Sequence, residues 1–285
     1  MSPGTARTPI DVVIVNWNTA EAAIKAAEAY LRSDSVEARV TVADNASQPE
    51  QRRLLEEGRP EGVRLVLHEE NLGYGRAANL ALRDGTAELV CVSNADVLPE
   101  PEALATLAAV AQGEARVGMV GPAFGGKTDR YHSRLPSGVT MAGRIFAGTF
   151  SRGPVPPPAP GEIKAVGQPS GACFVMRRDT WDSLQGFDDG FFLWYEDVDL
   201  AKRLHDQGYR NLVVGSAKVG HAGASSFVQI ERPLLRAMRL VSVERYIDKH
   251  HRKLSTFAPL LFGISKRLRA TAPMTPSPRP QAPGS

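Results

Sequence analysis

The sequence predicts an α/β fold: a mostly parallel, Rossmann-like sheet flanked by helices, with a basic helical extension at its C-terminal side. Three observations carry this. Short runs rich in Val and Ile alternate four times with helix-forming segments, at a spacing of about 25 residues, the signature of a right-handed βαβ series. Each run ends in Asn or Asp, where such sheets gather their ligands. The positive charge is concentrated late: residues 229–269 hold ten Lys/Arg against three Asp/Glu, while the whole 285-residue chain carries only +3.

The elements follow in order. "DVVIVNWN" (11–18) is an apolar run ending in polar residues, a buried parallel strand. "TAEAAIKAAEAYLRS" (19–33) is a helix with Thr19 as its N-cap. "ARVTVADNAS" (38–47) is a second strand, ending at Asp44 and Asn45, and "PEQRRLLEEG" (49–58) a helix stopping at Gly58. "VRLVLHEE" (63–70) and "GRAANLALRDG" (75–85) form a third strand and helix, "AELVCVSNAD" (87–96) and "EPEALATLAAVAQG" (100–113) a fourth pair. After the strand-like 117–124 the alternation stops. Residues 125–161 carry no regular pattern, which marks a mobile or substrate-covering loop. A strand and a short helix capped near Asp179 follow in 170–188, then a helix from 195, a strand in 209–223 and a helix in 231–254. The last fifteen residues hold five prolines and read as disordered.

Composition excludes several classes. A net charge of +3 does not describe a nucleic-acid binder. Cys91 and Cys173 lie in strand-like runs and read as buried thiols of a reducing cytoplasm, with no metal or disulfide spacing. "MSPGTARTP" lacks the apolar core of a signal peptide, and no apolar run approaches the roughly 20 residues of a membrane span. Attachment to the inner face of a membrane stays open.

Asn16, Asn18, Asp44, Asn45, Asn71, Asn94 and Asp96 all fall just past strand ends and predict a lined cleft, although one or two would be ordinary turn chemistry. "NAD" (94–96) suits a divalent metal bridging substrate phosphates, or a plain turn. "ENLGYGRAANLAL" (70–82) places Gly73 and Gly75 at a strand-to-helix junction whose N–H groups suit phosphate. Arg76 there opposes the helix dipole, so it points to an anionic ligand. "FFLWYEDVDL" (191–200) sets Glu196, Asp197 and Asp199 behind four aromatics, where a shielded carboxylate can act as a general base. Helix capping explains only one or two of the three.

The order of these signals is more specific than any one of them. An α/β half with the 70–82 glycines is followed by N-A-D, "GACFVMRR", "GFD", an aromatic-E-D-V-D-L run and His221. The series resembles the inverting family 2 glycosyltransferases of the GT-A fold, in their bacterial rhamnosyltransferase-like branch, over residues 10–250. The resemblance implies a catalytic domain at 10–228, with a nucleotide-sugar-binding half (10–117) and an acceptor and catalytic half (118–228). Residues 1–9 and 270–285 would be disordered and 229–269 a basic helical extension. It implies that Asp44, Asn45 and Asn16 line the nucleotide pocket, and that Gly73 and Arg76 lie against the ribose or diphosphate. Asn94 and Asp96 would face the donor. Asp96 and His221 would hold Mg²⁺ or Mn²⁺; Asn94 replaces the first Asp of the family's D-x-D and supplies no anionic ligand. Asp197 would be the catalytic base, with Glu196 and Trp194 contacting the acceptor and Asp199 capping the helix. The implied donor is a nucleoside-diphosphate sugar, dTDP-rhamnose ahead of a UDP-sugar. The implied acceptor is a glycan, a lipid-linked sugar or a small molecule, reached from the cytoplasm or from an anionic inner membrane face. Two alternatives remain: a nucleotidyltransferase, although "VNWNTAEAA" lacks the expected basic Gly-rich loop, and a non-catalytic sugar-binding protein on the same fold.

Overall fold

The protein was analysed as a computed structural model, which describes residues 7–125, 133–138, 140–141, 155–221 and 230–252. The proline-rich tail, the apolar-basic stretch at 257–269, most of the irregular 125–161 segment and the side chain of His221 lie outside the described residues.

The first half matches the βα series. Strands β1 (Thr8–Asn16), β2 (Val36–Asp44), β3 (Arg64–Leu67) and β4 (Leu89–Asn94) are parallel, in the order β3-β2-β1-β4. Helices α1 (Ala20–Leu31), α2 (Pro49–Gly58) and α3 (Tyr74–Leu82) connect them. Thr8 and Pro9, expected outside the fold, already pair with Val36 and Glu37. Thr19 stands at the N-cap of α1, but its hydroxyl donates to Asn16 Oδ1 (2.8 Å) instead of capping the helix. The Gln51 side chain accepts from the Ala20 amide in its place, at 3.0 Å.

The second half is mixed. A three-residue strand β5 (Val97–Pro99) and helix α4 (Ala103–Gly113) lead to β6 (Val117–Gly125), β7 (Ile163–Val166) and β8 (Cys173–Arg177). Helix α5 (Arg178–Ser183), helix α6 (Glu196–Asp206), strand β9 (Arg210–His221) and helix α7 (Arg232–His250) complete the described chain. β8 inserts antiparallel between β4 and β6, and β9 runs parallel to β6 while pairing antiparallel with β5 and β7. β6 and β9 run in the same sense as the first four strands and β5, β7 and β8 oppose them, so the sheet is mostly parallel, as expected.

Alternation along β1 divides the core. Ile10, Val12 and Ile14 face α1, α2 and α4, while Val13 and Val15 face α3, α5 and α6. Each fully buried Val, Ile or Leu of these layers contributes about 1.5–3 kcal/mol. A third cluster joins Phe191, Tyr195 and Val198 to Val243, Tyr246 and Ile247 of α7. The buried stripe of α7 is thus Ala237, Ser242, Val243, Tyr246 and Ile247. Leu234, Leu235, Met238 and Val241 on the same helix are only half-buried.

The arginine pair of "GACFVMRR" staples the two halves. Arg177 donates to the carbonyls of Ala111 and Gln112 at the end of α4, both at 3.0 Å. Arg178 donates to Ala87 O (2.8 Å), to Leu82 O (3.1 Å) and to the Asp11 carboxylate (2.7 Å). Asp179 is not the cap of α5: Arg177 holds the N-cap position and Asp179 lies in the first turn.

Candidate active site

The carboxyl ends of β1 and β2 form one end of the site. Asp44 is fully buried. It accepts from Asn16 Nδ2 (2.9 Å), Ser47 N (3.0 Å) and Arg52 Nε (3.1 Å), and also from the Ser47 hydroxyl. A carboxylate offers about four lone-pair sites. Asp44 is therefore engaged within the protein and fixes Asn16, Ser47 and Arg52 at the pocket. Asn45 shapes the neighbouring turn, donating to Asn71 Oδ1 (2.8 Å) and accepting from Leu72 N (2.8 Å). His68 follows β3. Burial pushes its imidazole below the usual 6.5, and the Arg52 and Arg76 guanidiniums act in the same direction against Asp44. Two cations thus act on one spot at this end, and Arg76 is exposed there.

Gly73 has φ +82° and begins α3. A Cβ there would lie 2.3 Å from the Phe192 carbonyl oxygen, which accepts from Tyr74 N at 3.0 Å. The glycine thus admits the aromatic loop against α3.

The other group of candidate residues lies across the turn at 170–172. Asn94 N donates to Ala172 O at 2.8 Å, and Gly171 N donates to Asp197 Oδ2 at 3.1 Å. The Asn94–Asp96 turn and the Glu196–Asp197 pair are therefore fastened to consecutive residues of one segment. Gly171 is required there, since a Cβ would meet Asp197 Cβ at 2.6 Å. Asp197 also accepts from Val198 N (2.8 Å) and from the Gln168 amide. Tyr74 donates to Gly171 O at 3.0 Å from below. Burial, with Glu196 next, pushes the Tyr74 phenol well above its usual value, so it is a hydrogen-bond donor at neutral pH. Glu196 and Asp197 are both buried in the first turn of α6.

Asp96 borders a cleft of about 420 Å³ that also touches Asn18, Lys25, Gln51 and Leu98. A larger hollow, about 810 Å³ around Asn79, Trp181 and Asp188, contains none of the expected site residues. One residue after Asp96, Val97 pairs with His221 of β9. The register brings two residues 125 apart in sequence to one corner of the sheet. A carboxylate and an imidazole form a donor set suited to Mg²⁺ or Mn²⁺ if substrate oxygens fill the other positions. Among the described residues no group of three or more His, Cys, Asp or Glu could hold a metal ion.

One expectation changes. Asp199 does not cap α6: it is fully buried and bonded to Arg203 Nε (2.8 Å), Lys249 Nζ (2.8 Å) and His250 Nε2 (2.7 Å). The aromatics before α6 are placed differently from one another. Phe191 and Tyr195 are core residues beneath α7, and Trp194 is half-buried with the Arg239 guanidinium 4.4 Å above its ring. Gln168 and Ser242 carried no signal in the sequence, because a lone Gln or Ser belongs to no motif. Gly171 was visible only as part of "SGACF".

The model of the family described as "Glycosyl transferase family 2" matches residues 11–182. The chain belongs to that family. This glycosyltransferase is 33% identical, over 187 residues, to an N-acetylglucosaminyl-diphospho-decaprenol L-rhamnosyltransferase of Mycobacterium tuberculosis, covering 58% of this chain and 60% of the relative. The match thus spans little more than half of each protein. An O-antigen biosynthesis protein, RfbC, of Myxococcus xanthus is 28% identical over 191 residues, 65% of this chain and 15% of that one. Among solved structures, a mannosyltransferase of Pyrobaculum calidifontis in complex with GDP-Man and Mn²⁺ aligns with a TM-score of 0.54 at 19% identity, over 94% of this chain and 80% of that one. GalNAc-T7 with UDP, GalNAc and Mn²⁺ aligns at 0.54 and 18% identity, over 77% and 44%. The fold is that of the GT-A glycosyltransferases, and the family match sets aside the nucleotidyltransferase alternative.

Proposed function

We propose that the protein is an inverting glycosyltransferase that moves a rhamnosyl or related hexosyl group from a nucleoside-diphosphate sugar to an acceptor hydroxyl. The observation that carries this is the joining of the Asn94–Asp96 turn and Asp197 through residues 171 and 172. It sets a donor-facing turn beside an oriented carboxylate. In a single in-line displacement the acceptor oxygen bonds to the anomeric carbon while the bond to the diphosphate oxygen breaks. The acceptor proton passes to Asp197, and the nucleoside diphosphate leaves. Gly171 N, Val198 N and Gln168 hold the carboxylate for this step, and Glu196 positions the acceptor beside Trp194. The nucleotide occupies the end built by Asn16, Asp44 and Asn45. Arg76, on the exposed first turn of α3, faces the diphosphate with Arg52 behind it. A divalent cation held by Asp96 and His221 would supply Lewis-acid stabilisation of the leaving diphosphate.

We take dTDP-rhamnose ahead of a UDP-sugar as donor because the relative is named as an L-rhamnosyltransferase, and a lipid-linked saccharide as acceptor because that name gives N-acetylglucosaminyl-diphospho-decaprenol. No helix among the described residues is long and apolar enough to cross a membrane. Such an acceptor would be met at the membrane surface.

The test is transfer from dTDP-rhamnose, with UDP- and GDP-sugars in parallel, to a prenyl-diphosphate-linked N-acetylglucosamine. Asp197→Asn keeps the size and removes the proton acceptor. Transfer falls by about 10²–10⁴-fold, with donor affinity by thermal shift unchanged. Near-normal turnover of a folded Asp197→Asn protein sinks the base assignment. EDTA abolishes transfer and Mg²⁺ or Mn²⁺ restores it. Full activity in chelator removes the metal from the reading.

A further inference from the structure

We propose that α7 is a positioning element of the active site: it holds residues 191–195 in a strained turn and so fixes Trp194 and the acidic start of α6. The proposal rests on the assignment of Glu196 and Asp197 given above.

The strain is in the backbone. Trp194 has φ +64° and Tyr195 φ +69°. Two consecutive bulky residues in the left-handed region are disfavoured, and such a conformation persists only where its surroundings over-determine it. Tyr195 is the N-cap residue of α6, so the strained pair lies immediately before Glu196 and Asp197.

Successive turns of α7 make contact along this stretch. Ser242 Oγ donates to Leu193 O at 2.7 Å. Arg239 covers the Trp194 ring at 4.4 Å, and the Tyr246 ring lies 5.4 Å from that of Tyr195. Arg245 lies 5.2 Å over Phe191 and reaches Asp188 at 2.5 Å. Lys249 joins Asp188 (2.6 Å) to Asp199 (2.8 Å), and His250 reaches Asp199 at 2.7 Å. Asp199 shares the first turn of α6 with Asp197. α7 therefore grips the chain before and after the carboxylate pair. Arg239 and Ser242 act on the turn itself, through Trp194 and the Leu193 carbonyl, so they are positioning residues.

The experiment combines hydrogen exchange by mass spectrometry with steady-state kinetics on the full chain. The variants are Ser242→Ala, Ser242→Thr and Arg239→Met, with Asp197→Asn alongside. Ser242→Ala and Arg239→Met are expected to speed exchange at residues 191–199 while the strands stay protected. They lower kcat by about 10- to 100-fold, the scale of a slight misplacement of reacting groups, and leave the donor KM unchanged. Ser242→Thr retains the hydroxyl and restores both readouts. Unchanged exchange at 191–199, or faster exchange with kcat intact, overturns the proposal. Faster exchange throughout the sheet, with donor KM rising as kcat falls, makes α7 a general brace and overturns it as well. Normal turnover by Asp197→Asn would instead refute the base assignment, and exchange at 191–199 would still decide whether α7 holds the turn.

Discussion

Gln168 shows how one neutral side chain can set the direction of a carboxylate. Its Oε1 accepts from Ser133 Oγ at 2.8 Å, and the backbones of the two residues exchange hydrogen bonds of 3.0 and 2.9 Å. A carboxylate only accepts, so the NH₂ end of the amide is the one that faces Asp197 and donates to it. Gln168→Leu keeps the bulk and removes the donor. Its kcat is expected to fall about tenfold, within the range for a mispositioned catalytic group, with donor affinity unchanged. Ser133→Ala is expected to lose less, because the backbone pair remains. Equal kcat in wild type and Gln168→Leu would show that the other two bonds to Asp197 suffice. At this scale the sequence singled out residues that belong to a motif, as Asp197, Asp96 and Asn16 do. It was silent on Gln168, whose importance arises from tertiary placement alone. It misjudged Asp199, since a carboxylate in a first helical turn looks the same whether it caps that helix or pairs with another.

Among elements, the junction of α6 and α7 is the most charged. Burial works against ionisation of Asp188, but the Lys249 ammonium, the Gly190 amide and the Arg245 guanidinium hold its carboxyl at about 2, below the usual 3.8. Asp199 is also held below its usual value, with His250, Arg203 and Lys249 outweighing burial. Carboxyls with depressed values in the folded state stabilise it fully above the unfolded-state value of about 3.9 and lose that contribution as pH falls further. For Asp188 the loss extends down to about 2. The protein is therefore expected to lose stability steeply below about pH 4. Asp188→Asn should flatten part of that limb in urea titrations at successive pH values. An unchanged slope would remove Asp188 from the account. The sequence indicated helix α7 but not its seat: a helix with many Arg and Leu residues offers several apolar stripes, and Phe191 and Tyr195 select one of them.

For the whole molecule, the parallel half was readable because each of its strands is a contiguous apolar run followed by a helix. The mixed half was not, since β5 and β7 are three and four residues long and gain their place only from β9. The charge distribution was readable throughout. Arg232 and Arg236 are exposed on α7, and the cations of 257–269 follow outside the described residues. Clusters of this kind gain about 1 kcal/mol per Lys or Arg at an anionic bilayer. The protein is expected to co-sediment with anionic but not neutral vesicles, less so in high salt, and to lose this on truncation after Lys253. Equal binding by the truncated protein would move the contact elsewhere. The pairing of Val97 with His221 also bears on synthesis. A ribosome that has released only the first hundred residues has made the parallel strands, with Asn16 and Asp44 in place, but not the strand that braces the Asp96 corner or the helix that carries Asp197. The growing chain can shape the nucleotide end early, whereas the reacting end closes only after residue 221 has emerged. On the proposed reading, a stalled or clipped product would bind a nucleotide without transferring its sugar.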